Sequence, residues 1–134
     1  MMKTALGTLL CLLALLAAPA HAAEGLDSPR SLDSVSQEPG SFVLGLNVGD
    51  NWKDHARTFA RIDAKVQGYL DFVARGPINK VNPQKKPVRV DFVLAHQPDA
   101  KARKFLEEKR KQLAAKSIGY KMVVPPDAKP SYAG

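Results

Sequence analysis

Apolar and polar positions recur along this chain in patterns that predict five elements. Trp52, Ala56, Phe59, Ile62, Val66, Tyr69, Leu70 and Val73 fall at steps of three and four within residues 50–76. That spacing winds them onto one stripe of an α-helix, and such a stripe must be buried against something. Asp50 is expected as its N-cap, accepting from the free amides of the first turn. Arg75, Gly76 and Pro77 are expected to close it with a cation, a left-handed glycine and a residue that cannot continue the helix.

Upstream, Phe42, Leu44, Leu46 and Val48 alternate with Val43, Gly45 and Asn47, which predicts a strand over 41–48. Downstream, Val88, Val90, Phe92 and Leu94 alternate with Arg89, Asp91 and Val93 and predict a second strand, its outer face partly charged, so that the sheet is covered on one side only. A charged helix is expected over 100–117 with Asp99 as N-cap. Ala102, Phe105, Leu106 and Leu113 form its narrow apolar stripe, helped by the stem of Lys109. Tyr120, Met122 and Val124 share one face of a third short strand. Residues 23–40, rich in Ser, Asp, Pro and Gly, read as a flexible segment, 77–87 as a loop with three prolines and three lysines, and 125–134 as a disordered proline-rich tail.

The predicted order is β-α-β-α-β. Helical crossovers favour parallel neighbours joined in the right-handed sense, the alternative being a mixed sheet in which the third strand is antiparallel. The expected fold is an α/β two-layer sandwich: a single domain over 41–124, with a three-stranded sheet covered on one face by two helices.

The first segment reads as an export signal. Lys3 precedes an apolar run over 5–17, too short to span a bilayer of about 30 Å, and Ala20-His21-Ala22 has the small-x-small form of a cleavage site. Residues 1–22 are therefore expected to be a signal peptide cleaved after Ala22, and the protein to be periplasmic or secreted with no transmembrane segment after cleavage. Leu10 before Cys11 argues against a lipid anchor. Cys11 is the only cysteine, so the remaining chain must be stabilised by an apolar core without a disulfide.

Charge is unevenly placed. Loss of the leader removes Lys3 and no acid, leaving 19 basic against 13 acidic residues. Residues 23–74 hold 5 bases and 8 acids, whereas 75–122 hold 13 bases and 4 acids. Lys80, Lys85, Lys86, Lys101 and Lys104 are candidates for one basic patch. Such a surface attracts polyanions, with a cell-wall or other anionic polymer as the candidate partner. Specific nucleic-acid binding is not expected, because no aromatic residues are interleaved with the lysines to stack on bases.

Candidate chemistry is sparse. His55 is expected to be packed or half-exposed at the helix start. His96 follows the second strand and precedes the second helix, where open α/β sheets bind ligands, and with Gln97, Asp99 and Arg103 it could form a small polar site. No HExxH pair, Gly-rich phosphate loop or nucleophile elbow occurs, so neither a metal nor a cofactor is expected. The pairs Asp50/Asp54 and Glu107/Glu108 suit a helix start and a solvated face better than acid–base work.

The sequence HQPD after a strand, then a charged helix bearing Leu106 and Arg110 and ending in Ser117-Ile118-Gly119, resembles the peptidoglycan-binding domain of the outer-membrane protein A family. The resemblance implies that Asp99 and Arg110 hold the carboxylate and amine groups of diaminopimelate in the cell wall. The spacing between the two is shorter here than in that family, and its intervening glycine and asparagine are absent. The expected function is a small exported, non-enzymatic binding module of the bacterial cell envelope, whose basic surface engages an acidic or zwitterionic partner. The alternatives are a protein-interaction factor acting through the charged second helix, and a small-ligand or enzyme site around His96.

Overall fold

The computed structural model describes residues 25–27 and 31–128; the predicted signal peptide and residues 129–134 of the predicted tail lie outside them. Four strands, β1 (Ser34–Glu38), β2 (Ser41–Val48), β3 (Val88–Leu94) and β4 (Gly119–Val123), form one sheet in the order β1-β2-β3-β4. The helices are α1 (His55–Ala74), α2 (Pro77–Val81) and α3 (Ala100–Ala114), preceded by a 3-10 turn at Gly25–Asp27. β2, β3 and β4 run parallel, and β1 is antiparallel to β2. The protein is α/β as expected, but its sheet has four strands, not three.

The added strand lies in the segment read as flexible. It went unread because, of the two β1 residues that lie opposite the covered face in register with β2, Val35 against Leu44 and Gln37 against Phe42, only Val35 is apolar, while Ser34, Ser36 and Glu38 lie on the open face. An edge strand with one side in water needs no apolar alternation. The signal that marks it is Pro39-Gly40, a turn dipeptide just ahead of β2. The predicted loop likewise contains α2, with Pro77 at its first turn, where a missing amide costs nothing. Asn82 then closes the rest of that loop on itself, its side chain bonding both the amide and the carbonyl of Lys86.

One apolar cluster joins Phe42, Leu44, Leu46 and Val48 of β2, Val90, Phe92 and Leu94 of β3, Ile62, Val66, Tyr69 and Leu70 of α1, and Ala102, Phe105, Leu106 and Leu113 of α3. Every second strand residue enters it, so α1 and α3 cover the same face. Phe59 of α1 and Phe105 of α3 stack face to face with ring centroids 4.0 Å apart. Lys109 spans the same seam, its ammonium 4.9 Å from the Phe105 ring and paired with Asp63 of α1. The open face mixes Val43, Val93 and Val123 with polar residues. Arg89 lies there between Asp91 and Glu38, and their carboxylates hold its guanidinium charged.

The ends of the helices differ from expectation. Asp54, not Asp50, caps α1 by accepting from the Arg57 amide, and Gly76 has φ −57°, so the left-handed cap is absent. At the end of α3 the left-handed residue is Ser117, φ 62°, with the Ile118 amide returning to the Leu113 carbonyl.

Lys65 interrupts the apolar stripe of α1 yet is buried. Its ammonium lies 2.7 Å from the Asp33 carboxylate and also donates to the Gly25 carbonyl. Asp33 accepts from the Asn47 amide, and its own amide donates to the Tyr69 hydroxyl, which donates to the Gly45 carbonyl. Burial, reinforced by the Asp33 charge, raises the Tyr69 hydroxyl far above the usual phenol range, so it stays protonated as that donor. One turn earlier on α1, Arg61 pairs with Asp27. Spaced four apart on a single helix face, Arg61 and Lys65 strap the segment before β1 to the domain.

Candidate functional site

Three parallel strands with helical crossovers put the carboxyl ends of β2 and β3 and the amino ends of α1 and α3 at one end of the molecule. Trp52 ties the two connecting loops together. It is fully buried, its indole NH donates to the His96 carbonyl at 3.2 Å, and it adopts a left-handed φ of 64°. That backbone costs a bulky residue roughly 1–2 kcal/mol, held here by the packing of the ring against Phe59.

A second tie lies beside it. His55, the first residue of α1, places Nε2 2.7 Å from Oδ2 of Asp99, the N-cap of α3, whose Oδ1 accepts from the Ala102 amide. Burial alone would raise the Asp99 carboxyl, but the Ala102 amide and the His55 ring outweigh it and hold the group below the ordinary carboxylate range. Asp50, at the end of β2, accepts from the Thr58 hydroxyl at 2.8 Å and from Arg61 at 3.2 Å.

Of these residues, Asp50, His55, Thr58, Arg61 and His96 border an open crevice of about 880 Å³. Lys53, Arg57, Arg61 and Lys101 line it together with both His55 and His96, against the acids Asp50 and Asp54. The acids are already engaged by protein donors: Asp50 by Thr58 and Arg61, and Asp54 by the Arg57 amide. The side chains of Lys53, Arg57 and Lys101 make no ion pair among the described residues. The crevice therefore presents uncompensated positive charge beside two helix amino ends, an arrangement that attracts anions.

Of the residues singled out from the sequence, His96, Asp99 and Lys101 are at this end. Gln97 is exposed in the loop beside them, and Arg103 turns its guanidinium onto the Pro98 carbonyl. Arg110 is elsewhere, in an exposed ion pair with Glu107. About 16 Å of helical rise separates it from Asp99 at roughly 1.5 Å per residue, so the two groups that the resemblance pairs are each engaged with a different neighbour.

The single basic patch is not assembled either. Lys80 belongs to α2, and Lys85 and Lys86 precede β3, at the opposite end of the sheet from Lys101 and Lys104; Lys86 reaches back to Gln37 and the Glu38 carbonyl of β1. Missed altogether were Asp50, Lys53, Arg57 and Arg61 as crevice residues. Their signal is the cluster of charges just after a predicted strand, the usual place for ligands in an α/β sheet.

Among the described residues no three His, Cys, Asp or Glu side chains are grouped to hold a metal ion, and no helix is long and apolar enough to cross a membrane. No curated protein and no solved structure matches the chain. Residues 25–126, which take in the four strands and three helices of the described residues, match the model of DUF6572, a family of unknown function, and the chain belongs to that family.

Proposed function

We propose that this protein is an exported, non-enzymatic binding module of the cell envelope that holds an acidic or zwitterionic polymer, such as a cell-wall polymer, in the crevice at the carboxyl ends of β2 and β3. One observation carries the reading: Lys53, Arg57 and Lys101 converge on that crevice with no carboxylate partner among the described residues, while the acids beside them are engaged by protein donors. Export rests on the leader over residues 1–22. Binding relies on charge and on rim contacts, and the diaminopimelate pair Asp99/Arg110 has no part in it.

The test is NMR titration of the protein with soluble peptidoglycan fragments and with anionic envelope polymers. Amide shifts should concentrate at residues 49–61 and 96–101 and disappear in a Lys53→Glu/Lys101→Glu variant. Shifts confined to the exposed face of α3 would instead favour a protein-contact role for that helix. Absence of any shift with every polymer sinks the proposal.

A further inference from the structure

The chain has three histidines. His21 lies in the predicted signal peptide, and the other two, far apart in sequence, line the same crevice. His55 comes from the start of the first crossover helix and His96 from the loop before the second. The ring of His55 is tied to Asp99 across the two helices. His96 is held through its backbone carbonyl by Trp52, and its Nδ1 is buried with no hydrogen-bond partner among the described residues. A buried imidazole nitrogen with no protein partner is a group left for water or a ligand atom.

We infer that the crevice binds its anion more tightly in acid than at neutral pH, because its two histidines add positive charge to a cavity that already holds uncompensated lysine and arginine. The inference rests on the anion-binding reading above and adds its regulation. Histidine is the ordinary side chain that changes charge between about pH 5 and 8.

The surrounding charges are of both signs. The loop before α1 supplies Lys53, Asp50 and Asp54, α1 supplies Arg57 and Arg61, and the start of α3 supplies Lys101 and Asp99. Asp127 lines a second, smaller crevice together with His96. Asp99 satisfies the Ala102 amide as well as His55, so a protonated His55 forms an ion pair with it and still contributes field to the open side. Among the described residues His96 has no such carboxylate partner.

A ligand whose own charge is constant over this range isolates the effect, so the probe is inositol hexasulfate and the measurement is calorimetric titration of the purified protein. Affinity should be about tenfold higher at about pH 5.5 than at about pH 8. Proton uptake on binding should appear as a dependence of the heat on buffer ionisation. His96→Gln should remove most of the pH dependence and His55→Gln the remainder, while Lys101→Glu should weaken binding at both pH values.

Equal affinity at both pH values overturns the switch and leaves the binding module standing. A pH dependence that survives in the double histidine variant overturns the assignment to these residues. No binding at either pH overturns the anion site and the switch with it.

Discussion

Lys65 and Asp33 meet in the interior, Nζ to Oδ1 2.7 Å, with side chains 0% and 2% exposed. A buried pair is strongly destabilised when one partner is removed and much less when both go, because the cost lies in the uncompensated charge. Asp33→Ala should therefore cost about 3–5 kcal/mol of unfolding free energy, and Asp33→Ala combined with Lys65→Met should recover a substantial part of it. Urea denaturation of the two variants checks this. A double variant no more stable than Asp33→Ala would show that the pair does not act as a unit.

The stacked rings of Phe59 and Phe105 hold α1 to α3 next to the crevice. A double-mutant cycle with Phe59→Leu and Phe105→Leu should return a coupling of about 0.5–1.5 kcal/mol, the size expected for an aromatic pair beyond its area burial. Additive single-variant effects would contradict the stack.

Asp99 should give the protein a specific acid sensitivity. A carboxyl whose folded-state pKa is depressed contributes stability above its unfolded value of about 3.9 and loses it as pH falls through the lower folded value. Asp99→Asn keeps a capping oxygen but cannot titrate. Its stability should be lower than wild type near neutral pH, and the gap should narrow below about pH 4. Urea midpoints from about pH 6 to about pH 2.5 measure the gap, and a constant offset across that range would rule out the linkage.

Ser117 adopts a left-handed backbone just after α3, where glycine carries no steric penalty. Ser117→Gly should stabilise the protein by about 0.5–1 kcal/mol, seen as a higher thermal midpoint. A lower midpoint would mean that the serine side chain contributes more than the backbone costs.

Elements with a dense apolar period were legible in the sequence. β2 and β3 fall where their alternation puts them, α1 starts only at His55 so that Trp52 of the expected stripe lies in the loop before it, and α3 and β4 differ from expectation by a few residues at their ends. What escaped depends on partners distant along the chain. Lys65 looks like a break in a stripe until Asp33 arrives from a segment with too few apolar residues to suggest order. β1 is stabilised by pairing with β2 and only lightly by burial, so its serines carry no periodic signal. The site was half visible for the same reason. His96 and Asp99 stand at a strand end, which topology alone marks, but the His55 contact joins two crossovers and cannot be read from either. The apparent basic patch failed because a parallel strand sends its two flanking loops to opposite ends of the sheet.

That last geometry has a practical consequence. β3 spans about 23 Å at roughly 3.3 Å per residue, so the connection between α2 and β3 is remote from the crevice by the full height of the sheet. A fluorophore, crosslinker or surface tether attached at Lys85 can therefore report on or immobilise the protein while leaving the crevice at its opposite pole accessible.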